Sequence, residues 1–201
     1  MASELADDAR ELRQKVREAY AGAAQVPAGK HPFPVGRAFA ESLGYPAATL
    51  DRMPPGAVDS FAGVSNIAIS AKLKRGARVL DLGCGAGLDS LIAAERVGAR
   101  GIVLGIDFGA EMLAQARAAA RAAGASNVIF CQADAERLPL RSESIDAALV
   151  NGIFNLNPAR EAIFSELARV MKPGGELWAA ELIVREPLPA EELASAANWF
   201  A

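Results

Sequence analysis

Apolar residues near the start of the chain recur at steps of three and four residues, which places them on one face of a helix. The residues of this stripe are Leu5, Ala9, Leu12, Val16 and Tyr20. The pattern predicts an amphipathic helix that opens the chain. The following stretch, 27–55, contains six prolines and three glycines, so we expect mostly loop there, with one or two short helical turns.

From Gly56 onwards, short apolar runs alternate with helical patterns. Strands are predicted at 78–82, 101–106, 127–131, 145–150 and 176–184, and helices at 88–97, 111–123 and after Asn157, with Pro158 at the first helical position. A turn, Lys172-Pro173-Gly174-Gly175, precedes the last strand. The alternation is typical of an α/β fold with a parallel sheet. We therefore expect a helical and loop segment over 1–70 and one domain over 71–201.

The first predicted strand ends in an acid and runs into alternating glycines. Its sequence is Val79-Leu80-Asp81-Leu82-Gly83-Cys84-Gly85-Ala86-Gly87. Glycines let the backbone approach a ligand closely and adopt positive φ. A dinucleotide fingerprint has its third glycine where this chain has Leu88 and usually lacks an acid such as Asp81, so nicotinamide dinucleotides are disfavoured. A carboxylate beside the loop instead suits a ligand that carries an ammonium group.

Acids also follow the second and third predicted strands. Asp107 lies twenty residues beyond Gly87, where its two oxygens could accept both hydroxyls of a ribose. Asp134 follows the third strand and is placed to accept from an adenine amino group. A single aspartate after a strand is more often a turn former or a helix cap. Three acids at successive strand ends, together with the glycine spacing, predict a site for a nucleoside cofactor that bears an amino acid.

These residues resemble the motifs of class I S-adenosylmethionine-dependent methyltransferases, over roughly 73–184. The resemblance implies a Rossmann-like, doubly wound sheet and S-adenosylmethionine as the cofactor. The implied cofactor-binding residues are Asp81, Gly83, Gly85 and Gly87 for the methionine part, Asp107 for the ribose, Phe108 and Met112 beside the adenine, Asp134 and Ala135 at its edge, and Asn151 where cofactor and acceptor meet. The turn at 172–175 is also typical of the family.

A narrower resemblance is to arsenite methyltransferases and their relatives. It rests on Asn151-Gly152-Ile153-Phe154-Asn155-Leu156-Asn157-Pro158 and on the stretches 43–46 and 55–57. In those enzymes a cysteine follows the residue that matches Asn151, and further thiolates bind arsenic. This chain has Gly152 there, and neither Cys84 nor Cys131 replaces the missing soft ligands. The resemblance thus implies the architecture of that group, the missing thiolates disfavour arsenite as its acceptor, and no metal site is expected.

The composition excludes some classes of binding partner. A net charge of −3 provides no basic field for phosphate backbones or anionic lipid, so neither nucleic acid nor a membrane is expected as a partner. The polar, acidic N-terminus lacks the pattern of a signal peptide. Two cysteines without CxxC spacing suit a reducing compartment, so we expect a cytoplasmic protein.

The sheet of the resembled family normally has seven strands. Only twelve residues follow Pro189 here, and 190–199 has a helical pattern, so the last strands are expected to be absent. An uncovered sheet edge favours aggregation. We therefore expect either a fragment or an edge covered by a partner chain, as in a homo-oligomer.

No catalytic acid or base is identified from the sequence. Methyl transfer from a sulfonium mainly requires alignment and exclusion of water, so a base is optional. His31 lies in the proline-rich stretch, where an exposed loop histidine is the ordinary interpretation. Glu181 could face the acceptor or simply end the last strand. Tyr20 and the segment 60–66 are candidates for a lid over the cofactor, or else for structural cover.

Three functional hypotheses follow. The first is a methyltransferase with a small-molecule acceptor, for which Phe154 and Asn155, beyond the fourth strand, are expected to line an apolar pocket with one polar handle. The second is a cofactor-binding module without catalysis. The third, an NAD-dependent oxidoreductase, is disfavoured by Asp81 and Leu88.

Overall fold

A five-stranded sheet forms the centre of the structure. The computed structural model of the chain describes residues 2–183. The helices are α1 (Ala2–Gln25), α2 (Arg37–Ser42), α3 (Ala47–Leu50), α4 (Pro55–Asp59), α5 (Ile67–Ser70), α6 (Leu88–Val97), α7 (Ala110–Ala122) and α8 (Arg160–Val170). The strands are β1 (Arg78–Leu82), β2 (Ile102–Asp107), β3 (Val128–Gln132), β4 (Ile145–Asn151) and β5 (Met171–Ala180). They pair in the order β3-β2-β1-β4-β5, every pair parallel, which confirms the predicted α/β fold.

The central strand β1 is covered on both faces. Residues 79–82 are all buried, which is typical of a parallel strand between two layers of helices. The strand order reverses between β1 and β4. In open parallel sheets the crevice at the carboxyl ends of the strands at such a switch point is where ligands bind.

The hydrophobic core is continuous between the N-terminal segment and the sheet. Leu50, Met53 and Phe61 lie in one buried cluster with Val79 of β1 and Leu91 of α6. Helix α1, predicted from its apolar stripe, is confirmed, and its Leu12 and Val16 are buried. The division of the chain near residue 70 stays a prediction, and the core extends across it.

The proline-rich stretch is mostly loop with short helical turns, as the sequence predicts. It contains α2 and α3 and the first residue of α4. Pro46 and Pro54 are the N-cap residues of α3 and α4, positions at which a backbone N–H is not needed for the helix. The prolines therefore begin short helices here instead of only interrupting them.

The start of α8 differs from the prediction. The helix begins at Arg160, so Pro158 is not its first residue. The Asn157 side chain accepts the N–H of Ala159 at 2.8 Å, which forms a local turn ahead of the helix. Asn157 thus organises the entry to α8, while Ala159 is the N-cap residue.

Strand β5 begins and ends earlier than the predicted 176–184. Ile145 pairs with Met171 and Ala147 pairs with Glu176, so the predicted turn at 172–175 is an irregularity within the strand. Glu181 lies just beyond the strand. Val184, the helical pattern at 190–199 and the expected absence of further strands fall outside the described residues. Within 2–183, no helix has the length and apolar character needed to cross a membrane.

Candidate functional site

A cavity of about 170 Å³ lies at the carboxyl ends of β1, β2 and β4, with α1 forming one wall. All ten residues predicted to bind the cofactor line it, from Asp81 of β1 to Asn151 at the end of β4. Their role as cofactor contacts stays a prediction. The sequence did not indicate that Arg13, Arg17 and Asp89 line the same cavity.

The glycine loop presents backbone to the cavity. Gly83 has φ of 77°, and a Cβ at this position would collide with the side chain of Ile153. Gly85 has φ of 51°, and its N–H donates to the Asp107 carboxylate at 2.9 Å. The second Asp107 oxygen accepts the N–H of Gly109 at 2.8 Å. Asp107 therefore fixes the loop and still has lone pairs to offer a ligand.

Three carboxylates meet at this end of the sheet without a cationic partner. Asp81 is 1% exposed and Asp89 6%, and Asp107 also lines the cavity. Among residues 11–183, no Lys, Arg or His forms an ion pair with any of the three. Burial, reinforced by the Asp89 charge, raises the pKa of Asp81 to about 8. Burial likewise raises the pKa of Asp89 and of Asp107, so the site favours a cationic ligand.

Asp89 belongs to a buried hydrogen-bond network. Its carboxylate accepts from the Tyr45 hydroxyl at 2.5 Å and from Asn151 Nδ2 at 2.8 Å. Asn151 Oδ1 accepts the N–H groups of Val64 and Ser65, at 2.9 and 3.1 Å. The Asn151 amide thereby joins the end of β4, the start of α6 and the segment 64–65, so it positions one wall of the cavity.

Replacing Tyr45 by phenylalanine is expected to lower the free energy of unfolding by about 1.5–3 kcal/mol, because a buried hydrogen bond to a charged group is lost. Urea denaturation followed by circular dichroism measures the change. Tyr20→Phe is the matched control, since the Tyr20 hydroxyl makes no hydrogen bond within the described part of the chain. Equal losses in the two variants would contradict the importance of the Tyr45 bond.

Helix α1 is held over the cavity by charged side chains. Arg13 forms ion pairs with Asp134, at 3.1 Å, and with Glu136. The Arg17 guanidinium lies 5.6 Å from the ring centre of Phe108. Asp134, predicted to contact adenine, thus already pairs with α1. These contacts join positions at least 90 residues apart, and no local sequence signal identifies them.

One polar atom in the wall of the cavity lacks a partner. Ser60 is 2% exposed, and its hydroxyl has no hydrogen-bond partner among the described residues. Buried polar atoms are nearly always hydrogen-bonded in native proteins. Because Ser60 lines the cavity, a polar atom of a ligand would be a suitable partner. The wall therefore offers an unused hydroxyl in addition to the acids.

A family of methyltransferase domains matches residues 73–200. The chain belongs to this family. It is 34% identical over 196 residues to an arsenite methyltransferase from Halobacterium salinarum, covering 90% of this chain and 50% of that relative. It is 38% identical over 125 residues to a phosphatidylethanolamine N-methyltransferase from Cereibacter sphaeroides, covering 61% of this chain and 60% of that one.

A solved structure supports the same assignment. The crystal structure of an arsenic(III) S-adenosylmethionine methyltransferase from Chlamydomonas reinhardtii matches with a TM-score of 0.61 and 31% identity, covering 84% of this chain and 57% of that one. The predicted resemblance to class I S-adenosylmethionine-dependent methyltransferases is confirmed. The chain spans about half the length of the curated arsenite methyltransferase it matches.

Other candidate residues of the methyltransferase lie apart from the cavity. His31 is half-buried in a loop, with Nε2 2.9 Å from the Val26 carbonyl oxygen. Phe154, expected in an acceptor pocket, is buried in the core and stacks on Phe164 with ring centres 4.6 Å apart. Asn155, beside it, lines a second and smaller pocket.

The cysteines do not form a thiolate site within the described residues. Cys84 lines the cavity, but burial raises its pKa well above the ordinary value, which keeps it a neutral thiol. Cys131 lies on β3. Between residues 11 and 183, no group of three or more His, Cys, Asp or Glu side chains is arranged to hold a metal ion.

Proposed function

We propose that this methyltransferase binds S-adenosylmethionine in the cavity and passes its methyl group to a small molecule in the adjoining pocket. The observation that carries the proposal is the group of acids without cationic partners at the ends of β1 and β2. S-adenosylmethionine carries an ammonium group and a sulfonium, and when bound it supplies a methyl group on positively charged sulfur. Its charge complements the cavity.

The residues present fit this ligand. Asp81 would accept from the ammonium group, and the Ser60 hydroxyl would gain a polar partner at the amino-acid end. Asp107 would accept from the ribose hydroxyls, and Phe108 and Met112 would cover the adenine. Each of these residues lines the cavity, so this ligand would supply partners both for the acids that lack a cation and for the unpaired hydroxyl.

The chain's own contribution to catalysis is to align the reactants and exclude water. Helix α1 covers the cavity, and the bonds of Asn151 hold the segment 64–65 against it. No proton transfer is needed for an acceptor that presents a lone pair. The proposed contribution of the site to catalysis is therefore to position the two reactants.

The described residues disfavour arsenite as the acceptor. The curated relatives include arsenite methyltransferases, but trivalent arsenic is held by soft thiolates. Neither Cys84, a buried neutral thiol, nor Cys131, on β3, lies in the second pocket. A module that binds S-adenosylmethionine without catalysis is the alternative, because the described lining of the acceptor pocket contains no thiolate that could hold arsenic.

Calorimetric titration tests the cofactor, and turnover tests the reaction. We expect micromolar binding of S-adenosylmethionine and S-adenosylhomocysteine and no binding of NADH. Release of S-adenosylhomocysteine is then measured with a panel of thiols, amines, phenols and arsenite. A folded sample that binds neither sulfur compound contradicts the proposal, whereas binding without turnover on any acceptor supports the non-catalytic module.

A further inference from the structure

A second pocket of about 60 Å³ adjoins the cofactor cavity. The two share lining residues, namely Tyr20, Ala62, Gly63, Gly152 and Leu156. The other described residues that line the second pocket are Phe33, Pro34, Phe39, Val64, Asn155, Glu181 and Leu182. A molecule in this pocket would therefore lie directly beside the contents of the cavity.

Aromatic rings form one side of the second pocket. Tyr20 and Phe33 stack with ring centres 4.5 Å apart and planes inclined at 28°, and Phe39 lines the same space. Aromatic faces attract cations and also pack against methyl groups. The rings alone would accept an apolar molecule as well as a cation. The charge of the pocket therefore decides which kind of molecule binds.

That charge is negative and fixed in place. Glu181 is the one charged residue among the described residues that line the pocket. Its Oε2 accepts the N–H groups of Phe154 and Asn155 at 2.7 and 3.2 Å, and its Oε1 accepts the N–H of Leu182 at 3.2 Å. Both oxygens of the side chain are thus engaged by backbone donors. The pocket therefore contains a carboxylate held in one orientation beside aromatic rings.

Tyr20 links this carboxylate to the cofactor cavity. Tyr20 lines both spaces, and its pKa is raised by burial and by the charges of Asp107 and Glu181. The tyrosine therefore stays protonated and can donate a hydrogen bond at the boundary between the two spaces. No cationic side chain among the described lining residues of the second pocket offsets Glu181.

We propose that the second pocket binds a small amine and that Glu181 and the rings of Tyr20, Phe33 and Phe39 select it over anionic acceptors and over uncharged acceptors that cannot take up a positive charge. This assignment rests on the proposed methyl transfer. The lone pair of the unprotonated amine forms the new N–C bond while the C–S bond breaks and sulfur keeps its electron pair. The products are a thioether and a methylated ammonium, which loses a proton to water if it still carries one.

The positive charge moves from sulfur to nitrogen during this step. A fixed anion on the acceptor side stabilises the charge where it arrives, and aromatic faces bind the added methyl groups. Thiolates, phenolates and carboxylates would meet Glu181 as like charges. The arrangement therefore favours a nucleophile that is neutral before the transfer and cationic after it.

Choline and its uncharged carbon isostere 3,3-dimethyl-1-butanol test the assignment without turnover. Both are titrated into the protein saturated with S-adenosylhomocysteine. We expect choline to bind at least about tenfold more tightly than the isostere, from the combined cation–π and carboxylate attraction. In Glu181→Gln the ratio should fall to within about twofold, since the amide keeps the shape of the side chain and removes its charge. Glu95→Gln, an exposed glutamate on α6, should keep the wild-type ratio.

The outcomes separate the two proposals. Failure of S-adenosylhomocysteine to bind overturns the cofactor assignment. Normal binding of it with no preference for choline, or a preference that persists in Glu181→Gln, overturns the amine assignment alone. A turnover comparison of 2-(dimethylamino)ethanol with 2-mercaptoethanol adds a second readout, and methylation of the thiol but not of the amine would also overturn it.

Discussion

Replacing Asp107 by alanine is expected to weaken binding of S-adenosylhomocysteine at least about 100-fold, which corresponds to about 2.7 kcal/mol. The carboxylate is proposed to accept from the ribose hydroxyls, and hydrogen bonds to a charged group are the stronger ones. It also accepts the Gly85 N–H, so its removal leaves the glycine loop without a bond that fixes its shape. Isothermal titration calorimetry measures the loss.

Two further variants distinguish the loss of the ribose contact from a general effect of removing a carboxylate. Asp51→Ala removes an exposed carboxylate that pairs with Arg37, and its affinity should stay within about twofold of wild type. Asp107→Asn retains the size of the side chain and shows whether charge is the requirement. Undiminished binding in a folded Asp107→Ala protein would remove the ribose contact from the proposal.

Replacing Asp81 by asparagine is expected to stabilise the ligand-free protein at high pH. The pKa of Asp81 is about 8 in the folded protein, well above the ordinary carboxyl value of about 3.9. The folded state therefore binds the proton more tightly than the unfolded state does. The stability from this group is fully present below about pH 4 and is lost as the pH rises through about 8.

The comparison of wild type with Asp81→Asn separates the pH-dependent stability that is due to Asp81 from that due to the other acids. The difference in free energy of unfolding should be near zero at pH 4 and reach about 3–5 kcal/mol in favour of the variant at pH 9. Urea denaturation at a series of pH values measures it, with Asp51→Asn as the control. A difference that does not change with pH would contradict an elevated pKa for Asp81.

From the raised pKa of Asp81 we also expect protons to be released when the ligand binds. A cationic ligand favours the ionised form, so wild type should release protons when it binds S-adenosylmethionine near pH 7. Calorimetry in buffers of different ionisation enthalpy measures how many protons are released for each ligand bound. In Asp81→Asn both the release and the affinity should decrease, which links the stability of the empty protein to its ligand.

The sheet and the cofactor loop were predictable because their signals are local. Each strand up to β4 is a short apolar run, and the loop from Asp81 to Gly87 is recognisable from its residue types and their spacing. The bounds of β2 and β3 are shifted by one residue from the predicted ones. Such small shifts arise because pairing with neighbouring strands, which the sequence does not display, fixes where a strand ends.

The remainder of the site depends on contacts that are distant along the chain. Asp89, in the first turn of α6, has the ordinary interpretation of an acid at a helix start, and only its bonds to Tyr45 and Asn151 reveal its place in the network. Arg13 meets Asp134 across the cavity in the same way. Two of the three aromatic residues that line the second pocket, Phe33 and Phe39, come from the proline-rich stretch, whose composition predicts mostly loop.

The continuity of the core across residue 70 restricts how this protein can change its acceptor. Phe39 lines the second pocket and packs on Phe61, with ring centres 6.3 Å apart, and Phe61 in turn packs on Tyr45 at 5.0 Å. A substitution that reshapes the acceptor side therefore also disturbs packing that supports the sheet. New specificity in this lineage should arise together with compensating core substitutions, since a stability margin is what lets such changes persist.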